Sequence, residues 1–152
     1  GEEMEGFSVQ YGGDWIDRTA ADGCSLTPSD ITEIKEDGKF SILGGNTNVE
    51  GRWQIESAYR SLIAAVVKNI CMKFNALEKK PRIKKGVSVA VAGGTAMVPG
   101  FLEVFQDALK ASGFPIPVDS IVLAEDPLYA VAKGALLHAE SCEEMGGEMP
   151  PA

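Results

Sequence analysis

The residues best suited to chemistry sit in one stretch, Val87–Phe105, which reads VSVAVAGGTAMVPGFLEVF. Its first half is short, β-branched and continuous, as expected of a strand buried in an α/β sheet. Gly93 and Gly94 follow at once, and without a Cβ they let the backbone approach a ligand closely. Ligands of open α/β sheets bind beyond the carboxyl ends of the strands, and free amides at such a turn attract an anion. Thr95 adds a hydroxyl, and Met97 a soft, polarisable side chain. The same residues also suit a tight strand-to-helix turn that merely needs glycine. The GxGxxG spacing of a dinucleotide fingerprint is absent, so residue types alone leave both readings open.

The elements that must position this turn are legible on either side. Phe7–Tyr11 (FSVQY) alternates apolar and polar residues, which predicts a strand ended by Gly12 and Gly13. Asp14 is placed to cap a short helix from Trp15 to about Asp22, with Asp17 favouring its dipole; capping suits both aspartates better than metal ligation. Thr27 as N-cap with Pro28 behind it predicts a second helix, carrying Ile31, Ile34, Lys35 and Glu36 and ending near Gly38. Lys35 and Glu36 also fit an ordinary solvated helix face. Lys39–Trp53 reads as a β-hairpin or irregular insert.

From Gln54 to Leu77, apolar residues recur at i, i+3, i+4 and i+7, which predicts one long amphipathic helix. Lys79 and Lys80 suit its negative pole, and Pro81–Gly86 is a basic loop. Pro99 is expected to open a helix with Phe101, Leu102, Phe105, Ala108 and Leu109 on one face, closed by Gly113. Ile121–Ala124 reads as a second buried strand. After Pro127 a last helix is expected to run to about Glu140 with Leu128, Val131, Ala132, Ala135, Leu136 and Ala139 inward, Gly134 permitting close packing. Tyr129 and His138 read as structural or exposed residues. Residues 141–152 have little to bury and are expected to be a disordered tail. The closing helix–strand–helix–strand–helix order predicts an α/β fold, a mainly parallel sheet flanked by helices.

Composition narrows the partners. The chain has 152 residues, 45% hydrophobic and 24% charged, which is enough for one domain with a real core. A formal net charge of −8 repels phosphate backbones, so nucleic acid is not an expected partner, although local amides and a few cations still permit ATP. Cys24, Cys71 and Cys142 are odd in number and widely spaced, which argues against a disulfide framework or a zinc knuckle and for reduced thiols in the cytoplasm. No apolar run approaches the roughly 20 residues of a membrane span. The start, GEEMEGFSVQ, lacks a signal peptide's basic and apolar regions, and its first residue is not methionine, so the chain reads as processed or cut from a longer protein.

Four blocks carry a family resemblance. GGTAMVPGF resembles the adenosine-binding signature of the actin family, and EDPLYAVAKGALLHA resembles the closing segment of bacterial actin homologues such as MreB. YGGDWID is similar to the segment that follows the second phosphate-binding hairpin of that superfamily, and ITEIKE to the helix lining its adenosine pocket. From about Tyr11 to Glu140, with Lys39 to Gln54 unaccounted for, the chain thus resembles the C-terminal lobe of the actin-like ATPase superfamily, which includes actin, MreB and the heat-shock-chaperone ATPase fold.

That resemblance implies a ribonuclease H-like lobe over residues 1–140, with a small inserted subdomain at about 24–54. It implies ATP or ADP as ligand, with Gly93 and Gly94 against the sugar and α-phosphate, Thr95 beside them and Met97 on the adenine face. Lys35 and Glu36 would close the other side of the base and ribose, with Gly12 and Gly13 near the ribose. The phosphate loops of the type D-x-G-x-G/T are not in this sequence. Magnesium would therefore be held mainly by groups outside the chain, and no catalytic or metal-ligating residue is assigned within it. Hydrolysis would need an N-terminal lobe as partner. Self-association into filaments, a chaperone-like switch, or a non-enzymatic interaction scaffold with the same fold are the further expectations.

Overall fold

The computed structural model describes residues 6–45, 48–77 and 85–144. In chain order its elements are α1 (Gly13–Ala21), α2 (Pro28–Glu36), α3 (Arg52–Ala76), β1 (Val87–Val91), a 3-10 turn (Gly94–Met97), α4 (Phe101–Ala111), β2 (Val118–Leu123) and α5 (Ala130–Glu144).

The 3.6-residue periodicity of α3 makes it the centre of the core. Ile55, Ala58, Tyr59, Leu62, Ile63 and Val67 lie on its buried side. They meet Ile16 and Ala20 of α1 and Phe101, Val104, Phe105 and Leu109 of α4 in one hydrophobic cluster. Tyr59 stands edge-on to Phe101, with ring centroids 6.4 Å apart, and Phe101 stacks on Phe105 at 6.1 Å. Such aromatic pairs add to what area burial alone supplies. Gly51 opens α3 at φ 69°, where a Cβ would come within 2.9 Å of Leu26 Cδ1, so both backbone and packing require glycine there. The basic segment from Lys79 to Lys84 lies outside the described residues.

Helix α2 starts as its sequence dictates. The Asp30 N–H donates to Thr27 Oγ1 at 3.3 Å, the Thr27 N–H donates to Asp30 Oδ2 at 2.8 Å, and Pro28 sits in the first turn. This reciprocal cap satisfies two otherwise unpaired backbone donors. The Thr27 hydroxyl, and then its backbone N–H, hold the Asp30 carboxyl below the usual carboxylate range. A depressed folded-state pKa means that this contribution is present above the ordinary value and fades as pH falls through the depressed one. Thr27→Ala is expected to lower stability by about 1 kcal/mol, read as a lower urea midpoint at unchanged slope at pH 7.

Several expectations need correction. Phe7–Tyr11 is not a strand, and Phe7 and Tyr11 are exposed. Alternation needs a neighbouring strand to bond its backbone, and here Tyr11 instead packs edge-on against Trp15 at 4.9 Å. Asp14 does not cap α1; it lies in the first turn, the N-cap is Gly12, and no side chain bonds there. Of the two readings of Lys39–Trp53, the described residues bear out the irregular one and not the hairpin: Phe40 and Ile42 are buried in the common core, and the Ile42 N–H donates to Pro99 O at 2.9 Å. Gly100 makes that docking possible. It has φ 88°, and a Cβ there would lie 2.7 Å from Leu43 Cγ.

The sheet is mixed into a largely helical fold and has two strands, β1 and β2, paired in parallel with Val89 opposite Ile121 and Val91 opposite Leu123. It is smaller than the flanked parallel sheet expected, because the described chain contributes no third strand. The core cluster takes up Val89, Val91, Ile121 and Leu123 from it, while Ser88, Ala90 and Val122 are exposed. Helix α5 extends to Glu144, so residues 141–144 are helical rather than part of a tail; residues 145–152 lie outside the described residues. Its expected inward face is not packed: every residue from Val131 to Glu140 is exposed, Val131 at 79%. Cys24, Cys71 and Cys142 are free thiols, and among the described residues no helix is long and apolar enough to cross a membrane.

Candidate functional site

Three separate elements converge on one cleft of about 590 Å³. The start of α1 supplies Gly13, Asp14 and Asp17, the end of α2 supplies Thr32, Lys35 and Glu36, and the 3-10 turn supplies Gly94, Thr95 and Met97. Gly38, Tyr59, Val98 and Leu128 complete the wall. Gly13 brings α1 up to both other elements: a Cβ built there would lie 3.5 Å from Thr95 Oγ1 and 4.0 Å from Lys35 Nζ, ordinary contact distances. Gly93 bends the chain out of β1 at φ 99°, a conformation that side chains rarely adopt, and so delivers the turn to the cleft.

The charged groups of the cleft are not equivalent. Asp17 is 7% exposed and lies on the same face of α1 as Ile16 and Ala20. Its Oδ1 is 2.5 Å from Lys35 Nζ, with each side chain 10% exposed. Its Oδ2 accepts from the Thr32 hydroxyl at 2.9 Å. Asp17 is thus neither a cap nor a dipole partner; it ties α1 to α2 through a buried ion pair. Asp14 and Glu36 are exposed on the cleft wall. Tyr59, 1% exposed, lies behind them; burial, and secondarily the negative charge of Asp17, pushes its phenol well above the usual tyrosine range.

Most of the residues singled out in the sequence meet here. Gly13, Lys35, Glu36, Gly94, Thr95 and Met97 share the wall, while Gly12 and Gly93 lie outside it. The expectation that Gly93 offers its amide to a phosphate is corrected, because that N–H donates to Pro127 O at 2.8 Å. Leu128 leans over the turn, its Cδ2 3.3 Å from where a Gly94 Cβ would be, yet it remains 60% exposed. Met97, 47% exposed, faces the same opening.

Sequence reasoning missed Asp17, Thr32, Tyr59 and Leu128 as parts of the cleft. For Asp17 a signal existed, since it stands between Ile16 and Ala20 on the apolar stripe of a short helix. A carboxylate on such a stripe is rarely buried without a cationic partner. A second, smaller cavity of about 200 Å³ lies between α4 and β2, lined by Gln106, Leu109, Lys110, Phe114, Ile116, Val118 and Ile121. It brings together one charged side chain and mostly apolar ones, against the convergent polar groups of the larger cleft.

Comparison with known proteins overturns the expected superfamily. A family model described as Volactin matches residues 1–139, and the chain belongs to that family. The matching family is not one of actin-like ATPases, and the two-stranded sheet does not form an actin-type lobe. No curated protein and no solved structure matches the chain. The resemblance rested on short blocks, and short blocks specify turns and caps more strongly than they specify a sheet.

Proposed function

We propose that this Volactin-family chain binds an adenosine nucleotide, ATP or ADP, in the cleft between α1, α2 and the diglycine turn. One observation carries this reading: Gly13, Lys35, Glu36, Gly94, Thr95 and Met97, far apart in sequence, line a single opening of about 590 Å³. That size falls within the usual range of small-molecule sites, and a few convergent polar groups on a partly apolar wall are their ordinary composition. The apolar rim of Met97 and Leu128 would flank an aromatic ring. The carboxylates of Asp14 and Glu36 would accept hydrogen bonds from ribose hydroxyls or from the exocyclic amine, and the Thr95 hydroxyl can donate or accept. Gly13, on the wall beside Thr95 and Lys35, would face the sugar.

The proposed activity is binding, without phosphoryl transfer by these residues alone. Such transfer needs positioned phosphates, a metal ion and an oriented nucleophile, and the described cleft residues fill none of those roles by themselves. A second reading is an interaction module that does not use a ligand. It is favoured by α5, whose Val131, Leu136 and Leu137 are between 59% and 79% exposed and offer an apolar surface to a polypeptide partner.

Thermal denaturation separates the two. A ligand of the native state raises the midpoint with concentration, by about 1.4 kcal/mol at ten times its Kd, or roughly 3–5 °C for a chain of this length. Millimolar ATP and ADP are expected to produce that shift, and Met97→Asp to abolish it. No shift with ATP, ADP or GTP would leave the interaction module standing.

A further inference from the structure

We propose that Asp17 sets the ligand selectivity of the cleft: by holding Lys35 it makes the site a receptor for the nucleoside moiety and denies it to the polyphosphate. The inference rests on the reading of the cleft as an adenosine site and specifies which part of the nucleotide it grips.

Among the described residues the lining carries three carboxylates, Asp14, Asp17 and Glu36, against one ammonium, Lys35. With all ionised, one positive minus three negative charges leaves the wall at −2. The single cation is moreover not presented to a ligand. It lies 2.5 Å from Asp17 Oδ1, in a pair whose two side chains are each 10% exposed. The Thr32 hydroxyl bonds the other carboxylate oxygen at 2.9 Å, which helps to hold Asp17 against Lys35. A polyphosphate brought to this wall meets two carboxylates with no ion-pair partner among the described residues and a neutralised lysine, whereas a nucleoside meets acceptors for its hydroxyls and amine. The geometry of Lys35 makes the device reversible. Lys35 Nζ lies 4.0 Å from where a Gly13 Cβ would be, at the cleft wall, and without the Asp17 charge its flexible stem lets the ammonium turn into the cleft.

The test is calorimetric titration of the full chain with adenosine and with ATP, without magnesium, for wild type and Asp17→Asn. Wild type is expected to bind ATP no more than about threefold more tightly than adenosine. Asp17→Asn should shift that ratio toward ATP by about tenfold or more, the scale of one charge-assisted contact. A purely structural ion pair would weaken both ligands together and leave the ratio unmoved, which would overturn the inference. If Asp17→Asn does not fold, salt dependence of the wild type decides. Affinity for ATP should hold or rise between 50 and 500 mM NaCl, since screening relieves repulsion, whereas a steep fall would mean that an unmasked cation contacts phosphate. Adenosine binding with ATP at least tenfold tighter refutes the role of Asp17 alone. Failure of wild type to bind either ligand removes the adenosine site itself.

Discussion

Lys35→Met is expected to destabilise the fold by about 3–5 kcal/mol, the usual cost of leaving one member of a buried ion pair unmatched. Asp17 has no way out. Its side chain is short, 10% exposed, and held in place on α1 between Ile16 and Ala20. Removing the ammonium therefore leaves a carboxylate in a poorly solvated position, with the Thr32 hydroxyl as its one side-chain donor among the described residues. The reverse change is milder, because Lys35 can carry its charge toward the opening of the cleft. Asp17→Asn should accordingly cost clearly less than Lys35→Met. Replacing both, as Asp17→Leu with Lys35→Met, should recover much of the loss, since an apolar pair of similar volume is often neutral against a buried salt bridge. Urea unfolding followed by far-ultraviolet circular dichroism reads all three. Equal losses in the two single variants would mean that the pair is more solvated than its burial indicates.

Tyr59→Ala is expected to cost about 3–5 kcal/mol, as for other large aromatic truncations in a packed core. Tyr59 is 1% exposed, and its ring sits between Phe40 at 6.3 Å and Phe101 at 6.4 Å, so it joins the 39–45 segment to α3 and α4. Alanine would leave a void that these rings cannot both close. Tyr59→Phe keeps the packing and isolates the hydroxyl. Burial and the nearby Asp17 charge raise the phenol's pKa in the folded state. A raised folded-state value means that the contribution is complete below the unfolded value, near 10, and is lost as pH rises beyond it. Wild type should therefore lose stability above about pH 10 more steeply than Tyr59→Phe. Parallel alkaline profiles for the two would contradict the burial of that hydroxyl.

How much of this was legible in the sequence varied with how local the determining forces were. Helix α3 could be read almost to its ends because its apolar periodicity both forms it and buries it. The start of α2 was legible because Thr27 and Pro28 act within one turn. β1, β2 and α4 were legible as elements for similar reasons. What failed was long-range. FSVQY has the alternation of a strand but no neighbour to pair with, and Phe40 and Ile42 look like hairpin residues until Gly100 lets their segment dock on α4. Helix α5 has an apolar face, yet nothing among the described residues covers Val131, Leu136 or Leu137.

The candidate site followed the same division. Residue types around Gly94, Thr95 and Met97 suggested a ligand turn, and the structure brings Lys35, Glu36 and Gly13 to that turn. The role of Gly93 was misread because its amide partner, Pro127 O, lies far along the chain, on the loop after β2. The pairing of Asp17 with Lys35 was hidden because each has an ordinary surface explanation until α1 and α2 are seen side by side. The superfamily expectation failed at a larger scale still, since the blocks that carried it fix turns and caps, whereas the matching family and the two-stranded sheet depend on the whole chain.

The most direct measurement is an amide-resolved nuclear magnetic resonance titration of the full chain with adenosine. Binding in the cleft predicts saturable shifts at Gly13, Lys35, Glu36, Gly94, Thr95 and Met97, with Gln106, Lys110 and Phe114 unmoved. Shifts confined to the cavity between α4 and β2 or to α5, or a spectrum that does not change at millimolar adenosine, would contradict it.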